Sequence, residues 1–155
     1  MGSFVLPLHS LFRWLVLSGL IYTILRAGMA LRSRRSFTRT DEALRHWTAT
    51  IAHIQLVIGC ILYFTSPLVK LFFSHFKGGS IARRELTFFG VVHVSLMFMA
   101  IVVITIGSAL ARRKEADRDK FRTLLLWFSI ALVLLFIAIP WPFSPFAGRP
   151  LFRNF

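Results

Sequence analysis

Leu124-Leu-Leu-Trp-Phe-Ser-Ile-Ala-Leu-Val-Leu-Leu-Phe-Ile-Ala-Ile139 is a run of apolar residues interrupted only by Ser129 and stopped by Pro140. Counted from Phe121, it has the length of a membrane span. A spanning helix needs about 20 mostly apolar residues, each advancing ~1.5 Å, to cross about 30 Å of hydrocarbon. Backbone inside a bilayer must satisfy its own hydrogen bonds, which only helices and closed barrels achieve. The run is continuous rather than alternating, so it reads as helix.

Three more stretches have the same character: about Leu8 to Leu31, about Leu44 to Phe64 (ending before Ser66-Pro67), and about Leu86 to Ala111. Composition agrees. Of the 155 residues, 56% are hydrophobic and 16% are charged, against about 45–50% and roughly 25% in soluble domains. Mean hydropathy is +0.69. The expected fold is all-α: an integral membrane four-helix bundle forming a single domain over residues 1–155. The opening stretch lacks a basic n-region and a clear small-residue cleavage site, so it is expected to be retained as the first helix.

Basic residues set the expected orientation. The first and third connections with their flanks hold 12 of the 19 Lys and Arg residues, and seven fall on the opposite side. The richer side is expected to be cytoplasmic, with both termini periplasmic in a bacterial inner membrane. The formal charge of +13 flanks membrane spans, where topology and anionic headgroups account for it. Nucleic acid is not an expected partner; the lipid bilayer is. Pro67 to Glu85 mixes Leu71, Phe72, Phe73 and Phe76 with Lys70, His75 and Lys77 before Gly78-Gly79, which suits a short interfacial helix. The tail from Pro140 is too proline-rich for helix, and its aromatic residues belong at a headgroup boundary. The single cysteine, Cys60, permits no intramolecular disulfide.

All six acidic residues lie in connections or at helix ends. This argues against a proton-driven transporter, which usually carries a carboxylate within the membrane. Histidine is the residue type that carries chemistry here. His53 and His93 lie deep in the second and third spans, where an unpaired imidazole is costly. Measured from the outer helix ends, their depths are roughly 16 and 10 Å, close enough for both to ligate one haem iron as axial imidazoles. Gly90 leaves room for a flat macrocycle. Met97, one turn from His93, is a core methionine or an alternative soft ligand. Arg13, one turn from His9, is read either as a partner for haem propionates or as a side chain snorkelling to lipid phosphate. Gln55 points away from His53 and suits a neighbouring helix or a quinone carbonyl. His46 has no matching histidine at its depth, so at most one haem is expected. A structural or proton-relay role for the two deep histidines stands beside haem ligation, because membrane histidines often serve as helix–helix hydrogen-bond residues.

Several segments together carry a family resemblance: His9-Ser-Leu-Phe-Arg-Trp-Leu-Val-Leu, Ala52-His-Ile-Gln-Leu-Val-Ile-Gly, Tyr63-Phe-Thr-Ser-Pro, Phe88-Phe-Gly-Val-Val-His, Ile104-Thr-Ile-Gly, Ile139-Pro-Trp-Pro-Phe and Gly148-Arg-Pro-Leu-Phe. The chain resembles, over nearly its whole length, small four-helix bacterial membrane proteins labelled "cytochrome B", which are distantly similar in architecture to cytochrome b561-type proteins. Unlike the latter, it lacks a second matched histidine pair. The resemblance implies one b-type haem at His53 and His93, with His9 and Arg13 as further motif positions. Electron transfer with quinol or a redox partner is the function it implies. A cofactor-free accessory subunit of a larger membrane complex, such as a respiratory one, is the alternative expectation.

Overall fold

The computed structural model describes residues 2–77, 84–144 and 147–149. Gly78-Gly79, Pro145, Phe146 and the tail from Pro150 lie outside the described residues, as does the side chain of His75. All regular structure among the described residues is helical: α1 (Gly2–Ser33), α2 (Arg39–Thr65), α3 (Pro67–Lys77), α4 (Arg84–Thr87), a π-helical turn (Phe88–Val92), α5 (His93–Arg113) and α6 (Asp117–Ala138). α4, the π-turn and α5 run on as one 30-residue rod. Four helices are long and apolar enough to cross a membrane, which makes this a multi-pass membrane protein by length and composition.

The spans outrun their apolar stretches at the polar ends, for local reasons. α2 starts at Arg39 rather than near Leu44 because Thr38 caps it. The Thr38 backbone N–H and hydroxyl both donate to Asp41, at 2.9 and 2.7 Å, which closes a reciprocal capping box. α6 starts at Asp117 rather than near Phe121, with Asp117 and Asp119 in its first turn, where negative charge offsets the helix dipole. α3 realises the expected short helix after Pro67, a residue favoured at a first helical position. Its Val69 and Phe72 are buried while Leu71 and Phe73 stay exposed.

The four spans form a ring in chain order, α1 beside α2, α2 beside α5, α5 beside α6, and α6 beside α1. The start of α1 and the end of α6 therefore lie at one end, here the termini end, and the α1–α2 and α5–α6 connections form the hairpin end. Lipid tails are as apolar as leucine, so close packing and interhelical hydrogen bonds must hold such a bundle. Gly19 lies against Thr48, whose hydroxyl bonds to that of Thr23 at 3.3 Å. Gly107 lies directly against the Trp127 side chain. Leu20, Ile104, Leu124 and Phe128 fill the centre.

The hairpin end is fastened by ions. Asp41, only 3% exposed, accepts from Arg26 at 2.9 Å and from both terminal nitrogens of Arg35 at 2.8 and 3.0 Å. Buried Arg45 donates to the Ser108 carbonyl at 3.3 Å and to Glu42, joining α2 to α5.

Candidate functional site

His53 and His93 do not meet. His53 lies on the exposed surface between α2 and α5. Its Nδ1 donates to the Ala49 carbonyl at 2.8 Å, and its Nε2 contacts the Thr105 hydroxyl at 3.0 Å. Thr105 is twelve residues beyond His93 on α5, which is about 18 Å along the axis and about 120° around it. His93 instead turns to α6, where its Nδ1 donates to the Ala138 carbonyl at 2.8 Å. In this arrangement one iron does not reach both rings.

The physical reason lies in the helix ends. The expected match in depth assumed that α2 and the third span end at one level. The first turns of the third span instead stand beside α3. There Phe72 covers Gly90 so closely that a Cβ at that glycine would lie 2.5 Å from the phenyl ring. The space expected beside Gly90 for a flat macrocycle is occupied by Phe72. The π-turn immediately before His93 also inserts a residue into the helical repeat, which resets the face on which His93 emerges. Its widened ladder leaves a carbonyl at Gly90 to accept from the Tyr63 hydroxyl at 2.8 Å. Turns of this kind recur at functional sites. Met97 packs against the core cluster, as a core methionine does.

A different constellation forms at the termini end, and every span contributes to it. Gln55 of α2 reaches α1, with its amide nitrogen donating to the His9 carbonyl at 2.9 Å and lying 3.3 Å from His9 Nε2. Gly59, one turn further along α2, makes space for the His9 ring, since a Cβ there would lie 3.4 Å from Cε1. His9 is within electrostatic range of His93 and Arg13. The Arg13 guanidinium lies 3.3 Å from the Ser10 hydroxyl and 5.3 Å from the Trp14 ring centre.

Hydrogen-bond roles follow from these contacts. Gln55 Nε2 can only donate, so His9 Nε2 accepts and the ring proton sits on Nδ1. That Nδ1 is buried with no hydrogen-bond partner among the described residues, and so is Gln55 Oε1. His93 donates through Nδ1, which leaves Nε2 as a lone pair. The site thus offers one unsatisfied donor and one unsatisfied acceptor, with the His93 lone pair from a neighbouring span.

Beside it runs an apolar groove of about 580 Å³ between α1 and α6, lined by Trp14, Leu17, Ile21, Leu132, Phe136 and Trp141, with Ser18 at its edge. Trp14 and Trp141 meet edge to face at 6.1 Å at the termini end of the groove. Arg13 precedes Trp14, and Ala138 follows the groove residue Ile137, so groove and polar site share two helices at one level.

Sequence reasoning singled out His9 and Arg13 on the first span and gave Gln55 a neighbouring helix or a quinone carbonyl to bond; in the structure Gln55 bonds to His9. It missed Tyr63, Thr105 and the Ala138 carbonyl; backbone acceptors carry no sequence signal. His53 behaves as an interhelical hydrogen-bond residue. Its replacement by alanine is expected to cost only about 0.6 kcal/mol, the average for such bonds, measured by unfolding in detergent. A loss above about 3 kcal/mol would give His53 a larger role than this bond supplies. No protein-family model, curated protein or solved structure matches this chain.

Proposed function

We propose that the termini end of the bundle binds the hydroxyl head of a membrane quinol. The single observation behind this reading is the buried pair of His9 Nδ1 and Gln55 Oε1, neither of which has a partner among the described residues. A buried polar atom without a partner costs about 1–3 kcal/mol, and ligands or ordered water usually meet such atoms in native structures. A quinol hydroxyl both donates and accepts, so one group satisfies the His9 N–H and the Gln55 oxygen. An isoprenoid tail suits the α1/α6 groove, whose lining is almost wholly apolar. By the distribution of basic residues, the hairpin end faces the cytoplasm. The quinol head then lies near the periplasmic face of a bacterial inner membrane, where a redox partner exchanges electrons with it.

A second reading keeps one b-type haem, as the family resemblance implies. Its support is the anchored His93. A ligating histidine typically donates its other ring nitrogen to a carbonyl or carboxylate, as His93 does to Ala138. His53 is held at Thr105, so the other residue that would hold the haem is His9, which shares the termini end with His93. When bound, haem supplies one-electron chemistry, and this chain supplies ligation and burial.

One purification separates the readings. Protein is isolated from membranes with haem supplied during expression, then assayed for extractable quinone and for visible absorbance. The quinol reading expects near-stoichiometric quinone, no Soret band, and about tenfold less quinone in His93→Ala, equivalent to ~1.4 kcal/mol. A reducible Soret and α band lost in His93→Ala would replace it with the haem reading. Absence of both would leave the accessory-subunit alternative.

A further inference from the structure

We propose that the hairpin end is a binding site for anionic phospholipid headgroups, built from cations that form no ion pair with a described carboxylate. This stands independently of the quinol reading. The α1–α2 and α5–α6 turns are locked together there. The rings of Phe37 and Phe121 lie 5.0 Å apart, with Arg35 over Phe121 and Lys120 over Phe37, each at 5.2 Å. Arg26, Arg35 and Arg45 are consumed by Asp41 and Glu42, and Lys120 by Asp117 at 3.5 Å. Arg32, Arg34 and Arg39 on one turn, and Arg112, Arg113 and Lys114 on the other, are exposed. Among the described residues none of these six forms an ion pair.

Arg34 carries a second, independent sign. Its φ is 52°, and it is the one non-glycine residue with positive φ among the described residues. It closes α1 in a left-handed cap, with the Arg35 N–H donating to the Ala30 carbonyl at 3.1 Å. Glycine is favoured at this position because an L side chain strains the left-handed conformation. A strained residue points to a function for its side chain, and here that side chain is a long cation at a helix end. Favourable charge in the last helical turn explains Arg32 and Arg112, but it gives no reason to prefer Arg over Gly at position 34.

The geometry also selects the partner. The turns between the helices span only residues 34–38 and 114–116, too short to lift these cations clear of the layer where headgroups lie. Lipid phosphate is the anion at that level, and basic residues beside a span attract anionic lipid.

The test places purified protein in nanodiscs of phosphatidylcholine alone, or with phosphatidylglycerol as a minor component. It reads the thermal midpoint and, by native mass spectrometry, the retained lipid. The wild type is expected to melt higher with phosphatidylglycerol and to retain it in preference to phosphatidylcholine. Millimolar inorganic phosphate should reproduce neither effect. Arg34→Gly, which relieves the strained turn, should melt no lower than wild type in phosphatidylcholine. It should retain phosphatidylglycerol about fivefold less well, the equivalent of the ~1 kcal/mol contributed by one cation near an anionic surface. Replacing all six cations with glutamine should abolish the preference. Equal melting and retention in both lipids, or an Arg34→Gly variant with full preference, would overturn the proposal. So would inorganic phosphate matching the lipid effect.

Discussion

Asp41→Ala is expected to destabilise the bundle by about 3–5 kcal/mol, the range seen when one partner of a buried ion pair is removed. Asp41 is 3% exposed and is the shared acceptor for Arg26, Arg35 and the Thr38 backbone and hydroxyl. Its removal leaves two guanidinium groups facing each other without a counter-ion and removes the carboxylate half of the capping box at the start of α2. Both effects share one carboxylate, so they fall together rather than as separable increments. Thr38→Ala removes only part of the cap and should cost about 1 kcal/mol. Denaturant unfolding in a neutral detergent, with helix content as the readout, measures both. An Asp41→Ala loss no larger than that of Thr38→Ala would show that the ion cluster adds nothing beyond the cap.

The second large effect belongs to the closest approach in the bundle. At Gly107 even the Cβ of an alanine would overlap the Cβ of Trp127, and Phe128 lies 3.7 Å away. Gly107→Leu therefore forces α5 from α6 along the most extensive seam of the molecule. Overpacking a tight site costs about 1–3 kcal/mol and occasionally more. Here the obstacle is the base of a side chain rather than its flexible tip, so the upper end is expected. Ser and Ala at position 107 should fall between Gly and Leu in thermal midpoint. If Leu at this position melted like wild type, the close α5–α6 contact would be wrong.

The spans were legible because the membrane imposes a length on an apolar run, and each of the four runs meets it. The short α3 was legible too, because Leu71, Phe72, Phe73 and Phe76 are mixed with Lys70, His75 and Lys77 after Pro67. Helix starts came later in the reading than in the structure. Hydropathy sees Leu44 and Phe121, whereas Thr38 with Asp41, and Asp117 with Asp119, begin the helices a turn or more earlier.

The site was legible only in part. His9 and Arg13 were recognisable as polar residues in an apolar helix, and Gln55 as a residue needing a partner. The partner assigned to His93 was not recoverable from depth along the chain. A π-turn at Phe88–Val92 and the packing of Phe72 on Gly90 displace the third span relative to α2. Neither leaves a mark in a periodicity count. His53 thereby meets Thr105 and His93 meets Ala138. A pairing read from distances to helix ends is sensitive to such an offset, since one helical turn moves a side chain by about 5.4 Å.

Photoaffinity labelling with an azido-quinone tests the central claim most directly, because it reports where the ligand sits as well as whether it binds. The protein is irradiated in native membranes, digested and mapped by mass spectrometry. The expected result is modification confined to α1 near His9–Trp14, α5 near His93 and the α6 end near Ile137–Trp141. Labelling should be competed by unmodified quinol and sharply reduced in His9→Phe. Labelling of the exposed α2/α5 face around His53 and Thr105, or labelling unaffected by competitor, would contradict the account.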